Sequence, residues 1–112
     1  MRKIILSNKT CTACQVGTLP LDEKNIEIYK KNISIGWKAI DNKLIEREFS
    51  FSDFRSALEF TNKVGELAEE ENHHPDIYLA WGKVKVKLWT HKINGLHEND
   101  FIMAAKIDRL YG

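Results

Sequence analysis

The sequence predicts a single α+β domain, two β-hairpins with helices packed on one face, in the order helix, strand, strand, helix, strand, strand, helix. Three observations carry this reading. Apolar and polar residues alternate in two pairs of short runs, 33–40 with 44–51 and 76–81 with 83–90. Between the pairs, one long stretch after Ser52 keeps helical spacing. The length of 112 residues, with 43% apolar and 29% charged, suits one domain with a small core.

Residues 1–20 read as an irregular extension closed by Gly17 and Pro20, with the domain proper over 21–112. The start is basic, but Ile4, Ile5 and Leu6 are too short a run for a signal-peptide core. No run approaches the length of a membrane span. A net charge of +1 provides no whole-molecule pull towards nucleic acid or membrane. The expected location is therefore cytoplasmic. Cys11 and Cys14 form a CxxC pair. Such a pair suits a zinc half-site, a redox couple, or neither. Zinc needs about four ligands, and the distance along the chain from Cys14 to His73 fits no finger pattern. A redox pair opens a helix after a strand, whereas "TCTACQVGTLP" reads as a loop.

"LDEKNIEIYKKN" is the first helix, with Asp22 and Glu23 at its start and Lys30 and Lys31 at its end. "ISIGWKAI" alternates, with Ile33, Ile35, Trp37 and Ala39 on one side, and so predicts a strand. Asp41-Asn42-Lys43 is a turn, and "LIEREFSF" the returning strand. The long helix begins at Ser52 or Asp53. Its apolar stripe runs through Phe54, Ala57, Leu58, Thr61, Val64 and Ala68, and it stops before Pro75, which drives His74 towards extended geometry. In "DIYLAWGKVKVKLWTH" the lysines at 83, 85 and 87 alternate with Val84, Val86 and Leu88. "NGLHENDFIMAAKIDRL" supplies a loop and the closing helix.

A two-residue turn at Gly82-Lys83 sets a register for the second hairpin. Trp81 then faces Val84, Leu79 faces Val86 and Ile77 faces Leu88. Continued outward, Pro75 meets Thr90 and His74 meets His91, which gathers His73, His74 and His91 at the open end. Three readings stand for these imidazoles. Metal binding is one, but adjacent residues on an extended chain point to opposite faces, so His73 and His74 are poorly placed to share an ion. Acid–base chemistry is the second, each ring handling a different proton near neutral pH. Idle, solvated histidines are the third. Asp100 stands three residues past His97, at capping-box spacing behind a poor cap. It reads as a helix-start acid or as an acid that orients an imidazole or a substrate. Trp37 and Trp89 are core residues or flat walls for a heteroaromatic ring. On residues alone Trp37 favours core, whereas Trp89 shares the lysine face.

The set "NHHP", Trp81 and "THKINGLHENDF" resembles the pterin-4a-carbinolamine dehydratase family. Its pattern is His-His-Pro, an aromatic eight residues after the first His, a third His ten further on, and an Asp nine beyond that; His73, His74, Pro75, Trp81, His91 and Asp100 match it. "IGW" at Ile35–Trp37 resembles the family's tryptophan site, and the likeness covers about residues 20 to 110. The resemblance implies a four-stranded antiparallel sheet with helices on one side, and assembly into homodimers or homotetramers through the sheet edge. It implies dehydration of 4a-hydroxytetrahydrobiopterin, the product of aromatic amino acid hydroxylases, to quinonoid dihydrobiopterin, which recycles the tetrahydrobiopterin cofactor. It implies no metal and no prosthetic group. By the same resemblance His73, His74 and His91 form the catalytic set, with His73 and His91 as the acid–base pair and His74 mainly placing the pterin. Asn72, Pro75, Trp89, Thr90 and Lys92 would line the pocket, Asp100 would support it, and Trp37 would pack against the bound ring. Two departures stand out: His97 where the family often has Ser or Thr, and Asn72 where an animal member has Asp. The rival readings are a protein-binding or transcriptional coactivator module on the same fold, and a zinc protein built on Cys11 and Cys14.

Overall fold

The computed structural model describes residues 5–12 and 17–112. Its elements are a 3-10 turn at Leu6–Asn8, α1 (Glu23–Lys30), β1 (Lys38–Ile40), β2 (Leu44–Ser50), α2 (Phe54–Glu71), β3 (Asp76–Ala80), β4 (Lys83–Leu88), a 3-10 turn at His91–Ile93, and α3 (Glu98–Tyr111). The four strands form one antiparallel sheet in the order β1-β2-β4-β3. The α+β class and the element order are as the sequence predicts.

Alternation decides the faces. Ile45, Phe49, Val84, Val86 and Leu88 are buried on one face, beneath Ala57, Phe60, Val64 and Ala68 of α2 and the apolar side of α3. Lysines 83 and 85 lie on the other face, 3.8 and 3.6 Å from Glu48 and Glu46. Such loose, half-exposed pairs contribute little to stability. The helix starts follow local chemistry: the Asp22 carboxylate accepts from Asn25 N at 2.9 Å, and that of Asp53 from Ser56 N at 2.8 Å. The hydrogen bonds from Ser56 also hold the Asp53 carboxyl below its ordinary pKa.

Two expectations are corrected. The strand predicted from Ile33 begins only at Lys38. Ser34 makes a tight turn instead, its hydroxyl accepting from Gly36 N at 3.2 Å and its carbonyl from Trp37 N at 3.2 Å. Ile35 is consequently 100% exposed while Trp37 is 2% exposed, so their apparent alternation was not a strand face. In the second hairpin the loop is Trp81-Gly82, not Gly82-Lys83. Leu79 faces Val84 and Ile77 faces Val86. Gly82 takes φ +70° at the second loop position, a conformation that glycine adopts without a Cβ penalty. The slip is two residues, so every side chain keeps its face, but Trp81 leaves the ladder for the exposed turn.

A polar cluster fixes the end of the molecule where β1 begins. The Asp108 carboxylate accepts from Ser34 N (2.9 Å), Trp37 Nε1 (2.8 Å) and Arg47 (2.5 Å). The Arg47 guanidinium lies 4.3 Å from the Phe49 ring centroid. The N-terminal 3-10 turn packs on α3, and Leu6 is buried in the common core.

Candidate active site

Asn72 ends α2 in the left-handed conformation, φ 52°, and donates its N–H back into the last turn. The reversal ties His73 N to Ala68 O at 3.1 Å and turns the two neighbouring imidazoles apart. The His73 side chain is 12% exposed, that of His74 is 55% exposed and leans on Glu69.

Beneath His73 lies Asp100, wholly buried in the first turn of α3. Its Oδ1 is 2.7 Å from His73 Nε2. Its Oδ2 accepts from Thr90 Oγ1 at 2.9 Å and from His97 N at 3.0 Å. A carboxylate accepts, so Oδ1 takes the Nε2–H of His73 in that tautomer, and among the described residues nothing bonds the His73 Nδ1. His97, a poor cap by type, nevertheless caps: its Nδ1 accepts from Asn99 N at 3.0 Å, and Asp100 reciprocates.

The opposite wall comes from the residues after β4. Thr90 and Gly95 bridge, with Thr90 N to Gly95 O at 2.8 Å, and Asn94 at φ 48° closes the turn. Gly95 is required, since a Cβ there would lie 2.7 Å from Pro20 Cβ. The loop presents His91 and Lys92, and the His91 ring sits edge-on to Trp89 with centroids 4.5 Å apart. The three histidines thus meet through the Asn72 reversal and the Thr90–Gly95 loop. The expected cross-strand pairing of His74 with His91 does not occur, because the ladder between β3 and β4 ends at Asp76 and Lys87.

The result is a cleft of about 270 Å³ lined by Asn72, His73, His74, Trp89, Thr90, His91 and Lys92, together with Thr12 and Asn99. Asp100 lies under it. Pro75 is outside the lining, and so is Trp37. Trp37, expected against a bound ring, stands apart from this cleft. Its indole is committed to the core and to Asp108, and it borders a separate groove with Glu27, Lys30 and Ile33. Thr12 and Asn99 were missed by sequence reading. Asn99 had one signal, its place beside Asp100 in a helix's first turn. Thr12 had none, since its partner lies 87 residues away.

Cys11 is half-buried, its N–H donating to Glu71 Oε1 at 2.8 Å. Burial first, then the Glu71 carboxylate, pushes its thiol up to about 12, so the reactive thiolate is suppressed at neutral pH. Burial raises Glu71 as well, but the Cys11 N–H and Lys106 outweigh it and hold that carboxyl below its ordinary value. Cys14 lies outside the described residues. Among the described residues no group of three or more His, Cys, Asp or Glu is placed to hold a metal ion, and no helix is long and apolar enough to cross a membrane.

The comparisons agree with this architecture. The family model for pterin 4 alpha carbinolamine dehydratase matches residues 19–110. A relative from Alkaliphilus metalliredigens that carries the name of that dehydratase is 50% identical over 104 residues, 93% of this chain and 94% of its own length. Another so named, from Azoarcus sp., is 51% identical over 108 residues, 96% of this chain and 92% of its own. A crystal structure described as a transcriptional coactivator/pterin dehydratase from Brucella melitensis superposes with TM-score 0.78 at 34% identity, covering 83% of this chain and 99% of that one. A pterin dehydratase-like RuBisCO assembly factor of the alpha-carboxysome shares the fold, with TM-score 0.60 at 23% identity over 69% of this chain and 90% of its own. By fold and by sequence, the chain belongs to the pterin-4a-carbinolamine dehydratase family.

Proposed function

We propose that the histidine cleft dehydrates a 4a-hydroxytetrahydropterin to the quinonoid dihydropterin. The observation that carries this reading is the buried Asp100 holding His73 by Nε2 in the cleft that His91 also lines. The reaction breaks one C–O bond. A ring-nitrogen lone pair forms the C=N bond as the hydroxyl, protonated by an acid, leaves as water, and a base collects a ring proton. Two imidazoles with separate surroundings suit these two proton transfers, each contributing on the order of 10²–10⁴-fold. His73, oriented by Asp100, and the exposed His91 are the acid–base pair; His74, Asn72, Thr90 and Lys92 place the substrate, and Trp89 offers an aromatic wall. No metal or prosthetic group is needed for this chemistry. In the cell the substrate would come from an aromatic amino acid hydroxylase, and a cytoplasmic homodimer or homotetramer would return the tetrahydrobiopterin cofactor to use.

Freshly generated 4a-hydroxytetrahydropterin tests the reading. Wild-type protein is expected to speed its loss over buffer, and His91→Ala to remove most of that effect, on the order of 10²-fold or more. No acceleration by the wild type would end the proposal. A second reading, a protein-binding coactivator role, draws on the dual description of the Brucella structure and on the exposed Phe54 and Leu58 of α2. It predicts that His91→Ala leaves the function intact.

A further inference from the structure

Thr12, which precedes the family-matched residues, is built into the cleft. Its backbone is gripped from both sides by one side chain. Thr12 N donates to Asn99 Oδ1 at 3.0 Å, and Asn99 Nδ2 donates to Thr12 O at 2.6 Å. Asn99 is 3% exposed, so its amide finds little water to replace those bonds. One residue earlier, Cys11 N is held by Glu71 Oε1, whose other oxygen is 3.1 Å from Lys106 Nζ. Lys9 pairs with Glu98 at 3.0 Å. The anchors are immediate neighbours of the histidine machinery: Glu71 is two residues before His73, and Asn99 is one before Asp100. The two helix ends that set the imidazoles therefore also set Thr12.

We propose that Thr12 is a substrate-contacting residue whose hydroxyl bonds a polar edge of the bound pterin and helps set KM, and that Asn99 positions it. This rests on the dehydratase reading of the cleft. A tether serving only to tie down a chain end would tolerate any side chain at residue 12. A substrate contact depends on the hydroxyl itself.

The test compares Thr12→Ser, Thr12→Val and Thr12→Trp. Each is assayed for kcat and KM with 4a-hydroxytetrahydropterin, and for affinity towards unreactive 7,8-dihydrobiopterin by quenching of tryptophan fluorescence. Thr12→Val keeps shape and loses the hydroxyl, so KM and the dihydropterin Kd should rise roughly three- to tenfold, with the loss falling on KM rather than kcat. Thr12→Ser should restore near wild-type values, and Thr12→Trp, which fills the cleft, should weaken binding by about tenfold or more. Wild-type KM and Kd in both Thr12→Val and Thr12→Trp would overturn the proposal while leaving the dehydratase reading standing. Dihydropterin binding that depends on Thr12, without turnover by the wild type, would sustain the contact and overturn the enzyme. Absence of both binding and turnover in the wild type would overturn both.

Discussion

At the scale of the residue, Asp100 concentrates the most consequence in the fewest atoms. One buried carboxylate accepts from His73, Thr90 and His97 N, and so joins α2, the loop after β4 and the start of α3. Asp100→Asn keeps the volume but turns one acceptor into a donor: placed towards His73 the amide forces the imidazole into its other tautomer, and placed towards Oδ2's partners it opposes the His97 N–H. A fall in kcat/KM on the order of 10²-fold is expected, together with a loss of about 1–3 kcal/mol in stability, measured by steady-state kinetics and urea unfolding on the same preparation. A variant with wild-type kinetics would show that His73 needs no such support. This residue was legible in sequence because a helix-start acid three past the cap is a local pattern. The histidines were grouped in sequence by carrying the hairpin register outward, whereas the structure brings them to one cleft through the Asn72 reversal and the Thr90–Gly95 loop. For Trp37 the residue reading favoured core, as the structure has it, but its hydrogen-bond partner Asp108 was out of reach of any local pattern, being 71 residues away.

At the scale of the element, the second hairpin shows what alternation settles and what it leaves open. Burial on one face specifies odd against even positions, but a slip of two residues satisfies the same pattern. The choice falls to the turn, where Gly82 at φ +70° also brings its carbonyl within 2.8 Å of Phe51 N. A Cβ at residue 82 would lie 3.0 Å from Phe51 O. Gly82→Ala is therefore expected to cost about 1–2 kcal/mol, a fall in melting temperature of roughly 4–8 °C or more, readable by thermal denaturation. An unchanged melting temperature would contradict the turn geometry. The helix starts, near Asp22 and at Ser52 or Asp53, were readable in advance, since a cap is decided within three residues. The first strand was overcalled because Ser34 and Gly36 form a turn whose sequence also alternates.

At the scale of the whole molecule, Lys9 and Cys11 are tied across the junction of α2 and α3 by acidic anchors, Glu98 and Glu71. Burial raises both Glu71 and Glu98, yet their partners reverse it. Cys11 N–H and Lys106 lower Glu71, and Lys9 with the Tyr29 hydroxyl lowers Glu98. A carboxyl lowered on folding contributes stability that is present above its ordinary value of 4.5 and is lost as pH falls through the lowered folded value. The urea midpoint of the wild type should therefore drop as pH falls from about 5 to 3. Glu71→Gln, which has no proton to take up there, should lose less over that interval. Equal losses in the two proteins would remove Glu71 from the linkage.

That tie also separates two kinds of boundary. The stretch that the family model matches begins at residue 19, but the physical unit begins earlier, since Leu6 fills the core and the Asn99 amide is spent on Thr12. A chain trimmed to the recognisable stretch would carry an open hole over α3 and a stranded amide beside Asp100, and whatever it failed to do would report the trimming rather than the enzyme.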